Sequence, residues 1–322
     1  MKLGKTGWFG IVAVVLLVLL PPIASFTQQE FYVSVATRVL AYAIAVSSLN
    51  LVLGHGGMLS LAQGSLLGAG AYTTAILTVE ATKDVTFLPG ATSAWITWPA
   101  AMLVGAILGL VIASISLRTR AIFFLMITLA FNQMLYYLFF SMKVYGGDDG
   151  LGMAARSDLL PGLPLENDTV FFYVALALFA IFTFVQHRLV HSRFGRVLEG
   201  IRINEPRMQA LGFDTYRYKL VCFAIGGAGS GLAGALLANK NLFVSPGLLD
   251  WLQSGTLLVM TILGGVGQLW GGLLGAAAYL VIEELLSAYT QRWQIGLGVA
   301  LIAVTLYAPR GLGALFVPRR RP

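Results

Sequence analysis

The residues able to do chemistry are few in this sequence, and they form no catalytic arrangement. The chain has 3 histidines and 1 cysteine, Cys222, which provide neither a disulfide framework nor a cysteine–histidine metal cluster. The Gly-Lys-Thr run at Gly4–Thr6 resembles the end of a phosphate-binding loop, but it lacks the earlier glycine and the preceding strand of that motif. No His-Glu-x-x-His motif and no nucleophile–histidine–acid set is evident. The sequence therefore predicts a protein that is not an enzyme and uses no cofactor or metal.

Glycines and isolated polar side chains could instead form a route for a solute. Six glycines crowd into Gly54–Gly70 and six more into Leu263–Gly275. Close packing of helices through small residues explains most of them. The Gly-His-Gly-Gly run at Gly54–Gly57 indicates more, namely a broken or re-entrant helix near a membrane face. Such irregular backbone survives in a membrane only where it is buried in protein or lines a water-filled cavity.

The predicted translocation path combines this break with polar residues from neighbouring apolar segments. Broken helices in transporters direct their ends at polar solutes. Asn132 and Gln133 stand in an apolar run, where they could equally bond to another helix or line the path. The candidate path residues are Gly54, His55, Gly56, Gly57, Gln63, Ser65, Asn132 and Gln133.

One conspicuous polar segment, Gly195–Gly212, predicts a short capped helix in a loop of about 188–219. Asn204 or Glu205 can cap this helix, Pro206 fits its first turn and Gly212 can end it. Met208 and Leu211 would form a small apolar face suited to docking on a partner. An amphipathic helix lying on the lipid surface is the alternative. The candidate coupling residues are Arg202, Asn204, Glu205, Pro206, Met208, Leu211 and Gly212.

Charged residues also occur within apolar segments. Arg38 lies in the first half of such a segment and is expected to extend its side chain to the outer membrane interface. For the adjacent Glu283 and Glu284, we expect one carboxylate to reach the interface and the other to pair.

The elements that position these residues are membrane-spanning helices. Hydrophobic residues make up 57% of the 322 residues and charged residues 11%, far below the quarter typical of soluble domains. Mean hydropathy is +0.81. The sequence predicts an all-α polytopic membrane protein with a single transmembrane domain over residues 1–322 and about ten spans of roughly 20 residues. The predicted spans are Trp8–Phe26, Phe31–Leu53, Ser60–Val79, Ala94–Ser116, Ala121–Met142, Thr169–His187, Tyr218–Ala238, Leu252–Gln268, Gly271–Ser287 and Trp293–Ala308.

The distribution of basic residues predicts the orientation. With both termini in the cytoplasm, fifteen Lys and Arg residues lie on the cytoplasmic side and five on the other. The net charge of +7 is therefore attributed to orientation and not to nucleic-acid binding, for which the chain has no basic domain. The first segment could be a cleaved signal peptide, although a retained helix is preferred.

Several ordered motifs resemble a known family. The stretch "SRFGRVLEGIRINEPRMQALGFDTYRYKL" is similar to the hallmark of the inner-membrane permeases of branched-chain amino-acid ABC importers, the LivM type. "RTRAIFFLMITLAFNQM" with "GGDDGL", the run "SGTLLVMTILGGVGQLWGGLLGA" and the late "APRGL" are similar to further parts of that family. Pro206 departs from the family pattern, in which other residues often follow the glutamate.

The resemblance implies a subunit of a bacterial inner-membrane importer and a set of partners. These are a second, LivH-type permease, two ABC ATPases and a periplasmic substrate-binding protein, with an amino acid as the substrate. The polar segment would then be the coupling helix seated in an ATPase groove. A urea or short-chain-amide permease of the same family is the nearest alternative, and an ion-coupled secondary transporter or a membrane-embedded enzyme is a more distant one.

Overall fold

The computed structural model describes residues 16–22, 31–81, 90–119, 121–159, 165, 167–289, 292–307 and 311–315. Almost all of the regular structure in these ranges is helical. The helices are α1 Phe31–Asn50, α2 Gln63–Glu80, α3 Ala94–Ser116, α4 Ala121–Ser141, α5 Asp168–Val190, α6 Arg193–Ile203, α7 Glu205–Ala210, α8 Thr215–Asn241, α9 Trp251–Gly264, α10 Gly271–Tyr289 and α11 Trp293–Tyr307.

Six helical segments among the described residues are long and apolar enough to cross a membrane: Phe31–His55, Ala94–Ser116, Ile122–Ser141, Asp168–Val190, Thr215–Asn241 and Gly271–Tyr289. The prediction of an all-α polytopic membrane protein is confirmed. Of the predicted first span, Trp8–Phe26, only residues 16–22 are described, and they are helical. The rest of that span and Ala308 lie outside the described residues.

In two predicted spans the helix falls short of the approximate predicted span at one end, by three residues in the first and four in the second, and glycine accounts for the second. The span placed at Ser60–Val79 is helical only from Gln63. The span placed at Leu252–Gln268 ends at Gly264, because Gly265 has φ +109° and Gly267 has φ +82°. Neither conformation continues a right-handed helix. The structure therefore contains an apolar helix, α9, of 14 residues, which is too short to cross about 30 Å of hydrocarbon at 1.5 Å per residue.

The predicted break at Gly54–Gly57 coincides with the end of the first long helix. Helix α1 continues into a π-helix, Leu51–His55, and regular structure then stops. Gly57 has φ +67°, and residues 57–62 form an irregular segment before α2. Bulges of the π type frequently mark functional positions in helices.

Helix α8 lies at the centre of the bundle, where small residues let helices approach closely. A Cβ added to Gly227 would collide with the carbonyl of Gly105 on α3, and one added to Gly231 would collide with that of Ala101. Gly234 makes the same close approach to Leu67 on α2. This is the packing expected of small residues between membrane helices.

A short ladder joins two connections of the chain. Strand β1, Leu151–Gly152, follows α4 and pairs antiparallel with β2, Phe243–Val244, which follows α8. Arg156 reinforces the joint by donating to the carbonyls of Asn239, at 3.1 Å, and Leu165, at 2.8 Å. The chain after β2 forms a 3-10 turn, Pro246–Leu249, that leads into α9.

Candidate functional site

Asn132 joins three segments of the chain. Its side chain is fully buried, and its Oδ1 accepts from the backbone N–H of Ser65 at 3.0 Å and from Oγ of Ser254 at 3.2 Å. Its Nδ2 donates to the carbonyl of Leu249 at 2.8 Å. A single amide therefore bonds to the first turn of α2, to the 3-10 turn and to the first turn of α9. We call this meeting point the junction.

The lengths of the helices that carry the junction would place it near the middle of a membrane. Asn132 is the twelfth of 21 residues in α4, which places it about 15 Å from either end of that helix. A second contact agrees: Nε2 of Gln253 on α9 donates at 3.0 Å to Oη of Tyr42, the twelfth of 25 residues in Phe31–His55. Helices α2 and α9 therefore both begin at about half depth, which is the arrangement of discontinuous helices around solute sites in transporters.

Glycine permits α2 and α9 to meet at this depth. The N–H of Gly64 donates to Oγ of Ser254 at 2.8 Å, and a Cβ at Gly64 would lie 2.7 Å from that oxygen. A Cβ at Gly68 would collide with the side chain of Leu249. Any larger residue would push the 3-10 turn and α9 away from α2.

Gln63, the first residue of α2, has unused hydrogen-bonding capacity. Its side chain is 1% exposed, and neither amide atom has a partner among the described residues. Its Nε2 faces Gly226 on α8, 3.3 Å from the position of a Cβ there. The hydroxyl of Ser230, one turn further along α8, is likewise buried and without a partner in the described part of the chain. Leaving such groups unpaired costs about 1–3 kcal/mol each, so their presence favours a site that binds a polar ligand in another state.

The structure brings four of the predicted path residues together here: Gln63, Ser65, Asn132 and Gln133. Gln133 donates to Oδ1 of Asp250 at 3.4 Å, and Asp250 caps α9 by accepting from the N–H of Trp251 at 2.7 Å. Sequence reasoning missed Asp250 and Ser254. An aspartate after a Ser-Pro-Gly turn is a recognisable cap, and that signal could have located the start of α9.

The other predicted path residues, Gly54, His55, Gly56 and Gly57, lie apart from the junction, at the end of the π-helix. The guanidinium of Arg202 donates to the carbonyl of Gly54, and its stem lies against Gly57. Asn50 links the same place to the α9–α10 connection, since its Nδ2 donates to the carbonyl of Gln268 and its Oδ1 accepts from the N–H of Gly267, both at 2.7 Å. Arg202 on α6 therefore bonds to the π-helix that ends the first long helix. Asn50, at the end of α1, bonds to the connection that follows α9. We call these contacts the inner tie.

The predicted capped helix is present as α7. Asn204 is its cap, accepting from the N–H of Arg207 at 3.0 Å, and Pro206 lies in its first turn. Glu205 forms an ion pair of 2.6 Å with Lys219 on α8. Gly212 has φ +86°, the left-handed conformation that follows many helix ends.

The apolar surface of this segment differs from the expected one. Leu211 is 65% exposed, as a docking residue would be, but Met208 is half-buried against Gly200 on α6. Ile203, which the sequence did not single out, is 79% exposed. The free apolar pair at the surface is therefore Ile203 and Leu211.

Helices that begin at half depth are a feature of membrane transporters. The chain belongs to the family described as branched-chain amino acid transport system, permease component, which matches residues 31–308. It is a multi-pass inner-membrane permease subunit of an ABC importer, a transport subunit and not an enzyme.

Curated relatives agree with this assignment. The chain is 29% identical to the high-affinity branched-chain amino acid transport permease LivM of Salmonella typhimurium, over 92% of this chain and 72% of the relative. The Escherichia coli LivM protein gives the same identity and coverage. A LivH permease of Salmonella typhimurium is 29% identical over 42% of this chain and 44% of the relative. No solved structure gives a significant match.

Proposed function

We propose that this subunit forms half of the membrane pathway of an importer for branched-chain amino acids. The observation that carries the proposal is the junction, where two helices begin at half depth beside the unpartnered Gln63. A polar solute crossing the membrane needs such groups at the point farthest from water. The names of the LivM relatives supply the solute class.

The rest of the machinery would come from partners. The second half of the pathway is a LivH-type permease, two ABC ATPases bind and hydrolyse ATP, and a periplasmic binding protein delivers the substrate. Both termini of this chain lie in the cytoplasm, and the chain forms one transmembrane domain. The basic excess of the α6–α7 loop supports that orientation.

The segment α6–α7 would be the coupling element. Ile203 and Leu211 offer an apolar surface to an ATPase groove, while the Asn204 cap and the Glu205–Lys219 ion pair hold the segment in shape. Movement of the ATPases would reach the bundle through Arg202, which bonds to the end of the π-helix.

Reconstitution tests the proposal. The purified chain alone should hydrolyse no ATP above background. With its ATPases, partner permease and binding protein in proteoliposomes, it should support ATP-dependent uptake of leucine, isoleucine or valine. Uptake of urea or short amides in place of amino acids would reassign the substrate. Uptake driven by an ion gradient without the ATPases would contradict the proposal.

A further inference from the structure

Arg38 and Glu283 form an ion pair between two membrane-spanning helices. Nη2 of Arg38 lies 3.2 Å from Oε1 of Glu283 on α10 and 3.4 Å from Oε2. The side chains remain 34% and 21% exposed, so the pair is reachable from the surface of the subunit. The sequence predicted that Glu283 or Glu284 would pair, and the partner of Glu283 is Arg38, 245 positions away in the chain.

A row of polar side chains connects this pair with the junction. The guanidinium carbon of Arg38 lies 5.9 Å from the ring centroid of Tyr42, one turn further along α1. Tyr42 accepts from Gln253, and the next residue of α9, Ser254, bonds to Asn132. The row therefore runs from a charged pair in the first half of α1 to the buried amides at half depth.

An ion pair of this kind is poorly explained by stability alone. Removing two charges from water costs about as much as their attraction returns, and apolar residues often replace such pairs without loss of stability. Ionisable residues within membrane spans commonly mark solute pathways. An α-amino acid carries a carboxylate and an ammonium on one carbon, so it can insert between the two side chains without leaving either charge unpaired. Arginine suits the carboxylate, since its planar fork binds both oxygens.

We propose that Arg38 and Glu283 recognise the zwitterionic head group of the substrate before it reaches the junction. Arg38 binds the carboxylate and Glu283 binds the ammonium. The inference depends on the proposed function, because it needs an amino acid as the solute. A neutral solute such as urea would gain nothing from separating the two charges.

Uptake of radiolabelled leucine by the complete importer in proteoliposomes tests the proposal. The charge-swapped variant Arg38→Glu/Glu283→Arg keeps an ion pair but reverses its direction, and the apolar variant Arg38→Met/Glu283→Met keeps the packing. Each should assemble with its partners and still lower uptake at least about tenfold. Glu284→Gln is the matched control, because it removes the neighbouring carboxylate, and uptake should stay within about twofold of the unsubstituted importer.

Three outcomes would overturn the proposal. Uptake by either double variant at the rate of the unsubstituted importer would show that the pair only holds α1 to α10. Loss of the assembled complex in both double variants would show the same. The conservative variant Arg38→Lys/Glu283→Asp then gives a further measurement, since it should raise KM for leucine, and an unchanged KM contradicts recognition. Failure of the proposed function is distinct, because the unsubstituted importer would then show no ATP-dependent uptake of leucine.

Discussion

The crossing of α3 with α8 and the meeting of α2 with α9 are both lined by glycine, but different atoms approach those glycines. At the first, Gly227 and Gly231 face the backbone carbonyls of Gly105 and Ala101, and two long helices run past each other. At the second, Gly64 faces Ser254 and the carbonyl of Asp250, and two helices begin.

The difference shows that glycine does two kinds of work in this membrane protein. In the first region the absence of a side chain lets two continuous helices touch, and each helix keeps its own backbone hydrogen bonds. In the second it lets polar groups from separate helix ends meet at a depth where no water is available to bond them. Substitution of a glycine in the first region should therefore impair folding, whereas substitution in the second region should impair transport.

The largest expected effect is loss of the folded protein itself, at the α3–α8 crossing. Gly231→Leu would drive a side chain into the backbone at Ala101, and overpacking of this kind costs about 1–3 kcal/mol or more. We expect most of the folded protein to disappear from the membrane, measured as the monodisperse fraction after extraction. Gly298→Leu on α11 is the matched control, because a Cβ there meets no atom within 4 Å, and its yield should be unchanged.

The next effect concerns α6 and α7, the proposed coupling element. Leu211→Asp would place an unpaired charge in a partly desolvated groove, costing about 3–5 kcal/mol of binding. Co-purification of the ATPases should fall by about two orders of magnitude or more, while membrane insertion is unaffected. Met208→Asp should act less directly, since Met208 packs on Gly200. ATPases that remain bound to the Leu211 variant would exclude this surface as the docking face.

A smaller effect is expected at the junction. Asn132→Leu keeps the branched shape and the number of heavy atoms in the side chain but removes the bonds to Ser65, Leu249 and Ser254. Unpaired groups of this kind cost about 1–3 kcal/mol each, so uptake should fall about tenfold or more in protein that still assembles. Gln133→Leu loses a single contact of 3.4 Å and should have the milder effect. Equal uptake by the two variants would remove the special role assigned to Asn132.

The smallest expected effect is at the inner tie, and it should differ in kind from the effect at the exposed pair Ile203 and Leu211. Arg202→Gln removes the guanidinium that bonds to Gly54, so the ATPases should still bind while uptake per ATP hydrolysed falls about threefold to tenfold. Arg207→Gln alters an exposed arginine on α7 and should leave this ratio unchanged. A normal ratio in the Arg202 variant would mean that motion reaches the bundle by another route.

Local chemistry was readable from the sequence, whereas contacts between distant segments were not. Asn204, Pro206 and Gly212 specify the helix α7 through interactions within a few residues, and the helix was placed correctly. By contrast, the contact of Asn132 with Ser254 joins residues 122 positions apart, and the contact of Gly64 with Ser254 at the start of α2 joins residues 190 positions apart. The same is true of Arg38, whose partner lies 245 residues away. An apolar pattern gives the length of a helix, but it does not tell where in the bilayer that helix begins.

The β1–β2 ladder ties two connections of the chain together close to the junction. It fastens the α4–α5 connection to the α8–α9 connection, and Arg156 bonds the same region to the end of α8. Five residues after Val244 comes Leu249, whose carbonyl bonds to Asn132. Only five residues of chain therefore separate the ladder from the junction, so a displacement of the ladder would also move the carbonyl that accepts from Asn132.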